Sequence, residues 1–141
     1  MKKTALICLT LLVIACGSPT TVKKEDIKLL NGYWEINKVF FADGTSKEYK
    51  ANPVIDFFEI NNLKGFRTKV KPKIGGTFIA NNDIDKVTIT QKQSTFTILY
   101  SNSLTEREEE LINLTKDSFT VKDTEQITYV YKRYQPIQIE Q

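Results

Sequence analysis

Four basic residues at every second position are the strongest candidate for binding chemistry in this sequence. They are Arg67, Lys69, Lys71 and Lys73, and on a β-strand they would share one face. Such a row is usually the solvent-facing side of a sheet or a protected edge, and this is the interpretation that the pattern favours. The alternative is a site for an anionic headgroup or a phosphate, which would need further donors from neighbouring strands.

Residue types needed for common enzyme chemistry are missing. The chain has no histidine, which removes the usual general base and the commonest metal ligand. It also lacks the Gly-x-Ser-x-Gly turn that activates a serine nucleophile. Asp56 and Glu59 could act as an acid and a base only if the fold placed them together. We therefore expect a protein that is not an enzyme and that holds no metal or cofactor.

An acidic run at residues 106–110 is the one place where a helix competes with a strand. Ser103 and Glu106 have the spacing of a helix capping box, but the apolar residues that follow do not continue a helical stripe. We predict a strand over residues 107–114 with a charged, solvated start. A cation site would need converging oxygens, whereas consecutive glutamates on a strand point to opposite faces.

The first sixteen residues have the pattern of a targeting segment. Two lysines at positions 2 and 3 precede an apolar run at residues 5–14, which is too short to span a membrane as a mature helix. The run ends in Val-Ile-Ala-Cys at residues 13–16, which resembles the bacterial lipobox. The resemblance implies a lipoprotein signal peptide over residues 1–15, lipidation of Cys16 and attachment to a membrane. The alternative is an ordinary secretory signal that contains a cysteine by chance.

Removal of this segment would leave a chain close to electrical neutrality. Two of the 20 Lys and Arg residues lie in it, so 18 would remain against 17 Asp and Glu. This balance does not indicate nucleic acid as a partner. Cys8 also lies in the segment, so the mature chain could form no internal disulfide and its core must hold the fold.

The remaining chain divides into a tether, one domain and a short tail. Residues 16–26 are small, polar and charged, which predicts a flexible lipidated tether. Residues 27–135 would form the domain and residues 136–141 a C-terminal tail. Glu25 and Asp26 precede Ile27 and could start a single helical turn at the beginning of the domain.

From Gly32 onward, segments rich in β-branched and aromatic residues are separated by turn-forming residues. Turns are predicted at Asp43-Gly44, Asn61-Asn62, Gly75-Gly76, Asn81-Asn82-Asp83, Gln93-Ser94, Ser101-Asn102-Ser103, Lys116-Asp117 and Asp123-Thr124. Most lie seven to thirteen residues apart, which favours an antiparallel meander over units with crossover helices. About eight to ten strands would be enough for the sheet to close on itself and remove its exposed edges.

The first strong strand opens with Gly32-Tyr33-Trp34, which contains the single tryptophan. Gly-x-Trp at the start of an all-β chain resembles the lipocalin signature, and the resemblance extends thinly over residues 29–134. It implies an all-β antiparallel meander closed into a small barrel, with a basic residue of the last strand over the Trp34 ring. Arg133 and Lys132 are the candidates, and a guanidinium stacks on indole better than an ammonium does. We predict that Gly32, Trp34 and Arg133 close the barrel.

The same resemblance implies a function in binding. A lipocalin-like barrel would hold a small apolar ligand, and a pocket of several hundred cubic ångströms would favour that hypothesis. The alternative is a packed barrel that binds an envelope protein as an inhibitor or assembly module, because 15 aromatic residues could fill the interior. The Asn- and Lys-rich composition is similar to that of Bacteroidota lipoproteins, which implies an outer-membrane anchor. In that group acidic residues soon after the lipid cysteine often accompany display on the cell surface, and residues 17–21 contain none, so the resemblance implies a domain that faces the periplasm.

Overall fold

The computed structural model describes residues 21–136. The predicted signal peptide, Cys16 and residues 137–141 lie outside this part. A 3₁₀ helix at Lys24–Leu30 is followed by the strands β1 (Gly32–Phe40), β2 (Ser46–Glu48), β3 (Ile55–Asn61), β4 (Lys64–Pro72), β5 (Phe78–Lys92), β6 (Thr95–Ser101), β7 (Glu106–Leu114), β8 (Ser118–Asp123) and β9 (Thr128–Arg133). Within the described part, no helix has the length and apolar character needed to cross a bilayer.

Strand β1 closes the sheet because it pairs along both of its edges. Its first residues pair with β3, and residues from Trp34 to Phe40 pair with β9 on the other side. Strands β3 to β9 follow in chain order, each antiparallel to the next, and β2 adds a short ninth strand at the end of β1. The result is a closed eight-stranded barrel, which confirms the predicted antiparallel meander.

The connections between strands alternate between the two ends of the barrel. One end carries the 3₁₀ helix and the turns at residues 62–63, 93–94 and 115–117, and we call it the closed end. The other end carries the connections at residues 41–54, 102–105 and 124–127, and we call it the open end. The connection at residues 73–77 ends a hairpin that folds onto the outer wall, where Phe78 packs on Tyr33.

Side chains fill the closed half of the barrel. Trp34 packs edge to face on Phe119 with ring centres 4.8 Å apart, and Phe119 stacks on Tyr131 at 4.5 Å. The other buried members of this core are Val22, Ile27, Leu30, Phe58, Ile60, Val87, Ile89, Phe96, Ile98, Tyr100, Leu111, Leu114 and Val121. An eight-stranded barrel is just wide enough for such a filling, so its closed half is a packed core.

The folded part begins earlier than the boundary predicted at residue 27. The 3₁₀ helix, which is the predicted helical turn, starts at Lys24. Val22 is buried and packs in the main core together with Ile27 and Leu30. These three side chains supply apolar surface that covers the closed end, so residues 22–26 belong to the barrel rather than to a tether.

One predicted turn is instead a bulge inside a strand. Strand β5 continues through residues 81–83, where Thr68 pairs with Ile84 and Val70 pairs with Ala80. Three residues of β5 therefore lie opposite one residue of β4. The Thr68 hydroxyl lies 3.3 Å from the carbonyl oxygen of Asn81 and 3.2 Å from that of Asp83, and donation to them holds the bulge in place.

The apolar face of β4 lies on the outside of the barrel. Phe66 lies 6.0 Å from Phe57 between ring centres, and Phe57 lies 4.8 Å from Tyr33. Phe78, from the far end of the β4–β5 hairpin, stacks on Tyr33 at 4.0 Å and meets Tyr134 at 6.0 Å. This outer aromatic cluster gives the apolar face of β4 a place to bury its side chains outside the main core.

Candidate binding site at the open end of the barrel

Strand β4 turns the first two residues of its basic row toward the barrel interior. Arg67 pairs with the core residue Phe58, and Lys69 pairs with Asp56. Partners in an antiparallel sheet share a face, so these side chains point inward. Only 11% of the Arg67 side-chain surface is exposed, which makes the solvent-face interpretation wrong for this residue. Lys71 and Lys73 are exposed, as that interpretation expects.

Asp85 lies close to polar groups from three neighbouring elements. It accepts a hydrogen bond of 2.5 Å from Arg67 Nη2 and one of 2.8 Å from Asn102 Nδ2. Arg107 Nη1 lies 3.5 Å from the same carboxylate. Burial tends to raise the pKa of Asp85, but the Asn102 amide and the two guanidinium groups outweigh it and hold that pKa below its usual range.

Asp56 provides a second buried carboxylate beside Arg67. It accepts a hydrogen bond of 2.9 Å from Lys69 Nζ, and Arg67 Nε lies 3.8 Å away. That distance is too long for a hydrogen bond, and Arg67 Nε is buried without a hydrogen-bond partner among the described residues. Burial tends to lower the pKa of Arg67, but Asp56 and the other nearby groups raise it, so the guanidinium stays charged.

Tyr100 contacts both arginines. Its ring centre lies 4.7 Å from the Arg67 guanidinium carbon and 4.2 Å from that of Arg107. These distances suit cation–π contacts, which stabilise the two like charges close to one ring. Burial, followed by the nearby Glu109, raises the pKa of Tyr100 well above its usual value, so its hydroxyl keeps its proton. We call Asp56, Arg67, Lys69, Asp85, Tyr100, Asn102 and Arg107 the polar network.

The acidic run lies on β7, as predicted, and its glutamates diverge. Glu108 and Glu110 are exposed, whereas Glu109 points inward and is buried. Burial raises the pKa of Glu109, although Arg107 and Arg67 oppose the shift. The solvated-face interpretation is therefore wrong for Glu109.

Other candidate chemistry from the sequence does not assemble. Asp56 is buried inside the barrel, while Glu59 is exposed on the opposite face of β3. The two carboxylates therefore form no acid–base pair. Among residues 21–136, no group of three or more acidic or cysteine side chains is placed to hold a metal ion.

A pocket of about 320 Å³ opens beside the polar network at the open end. Its lining includes Arg67, Lys69, Asp85, Asn102, Leu104 and Arg107. The walls come from β4, β5, the connection at residues 102–105 and β7, so four elements position its groups. We call it the mouth pocket. A second pocket, of about 270 Å³, lies on the outer wall, and its glutamates Glu108 and Glu110 belong to no such network.

The residues predicted to close the barrel form a clamp at the opposite end. The Arg133 guanidinium carbon lies 3.7 Å from the centre of the Trp34 ring. Arg133 also donates hydrogen bonds to the carbonyl oxygens of Asn31 at 2.6 Å, Leu29 at 2.8 Å and Lys116 at 2.9 Å. Trp34 Nε1 donates to the carbonyl of Leu30 at 2.7 Å. The clamp ties the 3₁₀ helix to β1, β9 and the β7–β8 turn, which is a structural role.

Gly32 and Lys132 complete the description of this end. Gly32 has a φ of 107°, and a Cβ atom there would lie 2.9 Å from Arg133 Nη1. A larger residue would therefore be strained and would push against the clamp. Lys132, the other candidate for stacking on Trp34, instead forms an ion pair with Glu35 at 3.4 Å.

Sequence reasoning missed Asp85, Tyr100, Asn102 and Arg107 as members of a site. A signal for two of them is present, because Asp85 is in phase with Val87 and Arg107 is in phase with Leu111. When a charged residue lies on the inward face of a strand, at the open-end side of the apolar residues on that face, it indicates a polar site at the open end and an apolar core below it. This pattern can be used for prediction only when the inward face of each strand is already known.

Comparisons with known proteins concern the fold alone. No family model and no curated protein matches the chain. A lipocalin-like protein from Bacteroides uniformis is similar in structure, with 14% identity, coverage of 75% of this chain and 99% of that chain, and a TM-score of 0.48. An uncharacterized protein from Bacteroides eggerthii is similar with 12% identity, coverage of 74% and 99%, and a TM-score of 0.47. The closed eight-stranded meander, with Arg133 stacked on Trp34, is the arrangement that the lipocalin resemblance of the sequence implies.

Proposed function

We propose that this protein is a lipid-anchored protein of the cell envelope whose barrel binds a small ligand at its open end. The observation that carries the proposal is the mouth pocket, whose volume of about 320 Å³ lies in the range of small-molecule sites. Side chains from four elements converge on it. The closed half of the barrel is packed, so the ligand binds near the mouth.

The lining of the mouth pocket changes the ligand chemistry expected from the sequence. Arg107 and Lys69 keep 38% and 46% of their side-chain surfaces exposed there. A wholly apolar ligand would remove these charged groups from water without compensation, which is costly. The pocket therefore favours a ligand with at least one polar group over the apolar ligand that the lipocalin resemblance implies.

The membrane anchor in this proposal is supported by the lipobox-like residues 13–16. Residues 22–30 lie at the closed end, so a lipid on Cys16 would be attached on the side of the barrel away from the mouth pocket. The resemblance to Bacteroidota lipoproteins supports an outer-membrane anchor, and within that resemblance the lack of acidic residues at 17–21 supports a domain that faces the periplasm. Binding without catalysis fits a chain that has no histidine.

Metabolic labelling with a fatty-acid analogue tests the anchor. The wild-type protein is expected to take up the label at Cys16, and Cys16→Ser is expected to remove the label and release a folded, soluble barrel. Cys8→Ser is the matched control, since Cys8 lies in the predicted signal segment and should not affect labelling. Absence of label on the wild-type protein would contradict the anchor.

Native mass spectrometry tests the ligand. The Cys16→Ser protein, purified from its own host, is expected to carry a small-molecule adduct that is lost under denaturing conditions. A clean mass without any adduct, together with one specific protein in cross-linking, would support the second candidate function instead.

That second candidate is a protein-interaction module of the envelope. It is favoured by exposed apolar residues on two loops, since Ile74 is 87% exposed on the β4–β5 hairpin and Leu104 is 90% exposed at the open end. A protein partner that covered them would bury apolar surface at little cost. The packed closed half is compatible with this function too.

A further inference from the structure

We infer that the mouth pocket recognises an oxyanion, such as a carboxylate or a phosphate carried by a small molecule. The inference rests on the proposed function and narrows its ligand class. The inference depends on an unequal supply of hydrogen-bonding groups in the polar network. Its carboxylate acceptors face inward and already accept hydrogen bonds from the protein, whereas donors of Arg107 and Lys69 face the pocket without an acceptor among the described residues.

The acceptors of the network are already used by the protein. Asp85 accepts hydrogen bonds from Arg67 and Asn102, and Asp56 accepts one from Lys69. The Asn102 side-chain oxygen accepts from the backbone N–H groups of Leu104 at 2.8 Å and Thr105 at 2.9 Å. A cationic ligand would therefore find both carboxylates of the polar network buried and already paired, which leaves the exposed Asp83 as the carboxylate on the pocket wall.

The donors are in surplus on the side that faces the pocket. Arg107 Nη1 lies 3.5 Å from Asp85, beyond strong hydrogen-bond length, and the Arg107 guanidinium has no hydrogen bond to any residue of the described part. Lys69 uses one of its three donors on Asp56. Arg107 thus offers a planar fork and Lys69 a point charge, the combination that suits carboxylate and phosphate groups.

Among the charged residues that line the pocket, the cations Arg67, Lys69 and Arg107 outnumber the carboxylates of Asp83 and Asp85. Arg67 adds a third cation behind Tyr100, with a buried Nε that has no acceptor within residues 21–136. Glu109 is buried on β7 and is not part of the pocket lining. Asp83 lies on the pocket wall, and its carboxylate accepts a hydrogen bond of 3.3 Å from Asn81.

Leu104 indicates what the rest of the ligand is like. It lines the mouth pocket and is 90% exposed, so an apolar group beside the oxyanion would cover it. A ligand with an anionic end and a short apolar end therefore fits the pocket better than a bare ion does.

The test compares ligands that differ only in their head group. Hexanoate, hexylammonium and hexan-1-ol are titrated into the Cys16→Ser protein by calorimetry, with inorganic phosphate as a second oxyanion. We expect hexanoate to bind and the cation and the alcohol not to bind. Binding of phosphate without hexanoate would also support an oxyanion site and would assign it to phosphate groups, whereas binding of hexylammonium as tightly as hexanoate would overturn the inference.

Variants then place the anion within the pocket. Arg107→Gln and Lys69→Gln are each expected to weaken hexanoate binding by about ten-fold or more, the scale of one charge-assisted hydrogen bond. Arg107→Lys should restore part of the affinity, and Lys71→Gln, on the same strand but outside the pocket, should change nothing. Thermal unfolding of each variant verifies the fold. Unchanged affinity in both Gln variants would overturn the assignment to this pocket.

The outcomes separate this inference from the proposed function. A host-derived adduct that hexanoate displaces supports both. A neutral or cationic adduct that neither hexanoate nor phosphate displaces overturns the oxyanion inference and leaves ligand binding in place. If the host protein carries no adduct and none of the four probes binds, both are overturned.

Discussion

Replacing Asp85 with alanine is expected to lower the free energy of unfolding by about 3 kcal/mol, the scale for removing one partner of a buried ion pair. Asp85 is the acceptor that Arg67 and Asn102 share, and the change would leave the largely buried Arg67 charge with only Asp56 at 3.8 Å. Removing one partner of a buried ion pair costs about 3 to 5 kcal/mol, and we expect the lower end of this range because Asp56 still lies near Arg67. Urea denaturation followed by circular dichroism measures the change.

Asp83→Ala is the matched control for this prediction. Asp83 is an exposed carboxylate on the same strand, and its loss is expected to change the free energy of unfolding by less than about 0.5 kcal/mol. Equal effects of the two substitutions would show that Asp85 is not a centre of the polar network.

The loss of stability caused by Asp85→Ala is also expected to depend on pH. Its direction follows from the lowered pKa of Asp85 in the folded protein. The carboxyl binds protons less readily in the folded state than in the unfolded state, so its ionised form stabilises the fold above the unfolded pKa of about 3.8. This contribution is lost as the pH falls through the lowered pKa. The stability difference between wild type and Asp85→Ala should therefore narrow in strong acid, and a constant difference would contradict the ion-pair explanation.

Arg133→Ala is expected to lower the free energy of unfolding by about 3 kcal/mol, more than the 1 to 2 kcal/mol that stacking on Trp34 alone would give. The excess comes from the three backbone carbonyl groups that lose a charged donor. Arg133→Lys keeps a charge but not the planar fork, so it should fall between wild type and alanine. Urea denaturation measures all three proteins.

Lys132→Ala provides the control for the clamp. Lys132 is partly exposed in its ion pair with Glu35, and such pairs contribute about 1 kcal/mol or less. Arg133→Ala should also leave hexanoate binding unchanged, because the clamp lies at the closed end. An Arg133 effect no larger than that of Lys132 would contradict the role of the clamp.

Much of the barrel can be predicted from local sequence. Predicted turns fall at seven of the eight connections between consecutive strands, and period-two alternation gives the residues that share a face, such as Val87 with Ile89 on β5. The contact of Arg133 with Trp34 is predicted by the lipocalin resemblance, which rests on Gly-x-Trp and a basic residue near the end of the last strand. Each of these signals depends on neighbouring residues and on a single strand.

The mouth pocket is harder to predict because alternation does not say which face points inward. On β4 the apolar face carries Phe66 and Val70, and the basic face carries Arg67 and Lys69. Burial would ordinarily assign the apolar face to the interior. Here the outer aromatic cluster covers Phe66, and two carboxylates from β3 and β5 neutralise the basic residues inside. Only the pairing register brings those partners together.

β-Bulges are a second reason why the inward-facing residues are hard to predict. One extra residue in a strand turns every side chain after it to the opposite face of the sheet. On β7 the register shifts between Leu111 and Asn113. As a result Ile112 is 43% exposed while Leu114 is buried. The bulge at residues 81–83 of β5 carries asparagine and aspartate, which read as a turn in the sequence. Tertiary pairing decides both cases, and local propensity does not.

The burial of Val22 has a consequence for how the protein is oriented at a membrane. Six Cα steps separate Cys16 from Val22, so a lipid on Cys16 would hold the closed end within about 20 Å of its attachment point. Strand β7 is nine residues long, or about 30 Å, and in a barrel it is tilted from the axis, so the open end stands well beyond the closed end. The mouth pocket of an anchored protein would then face the aqueous compartment, and its ligand would arrive from solution or from a carrier protein rather than from the bilayer that holds the anchor.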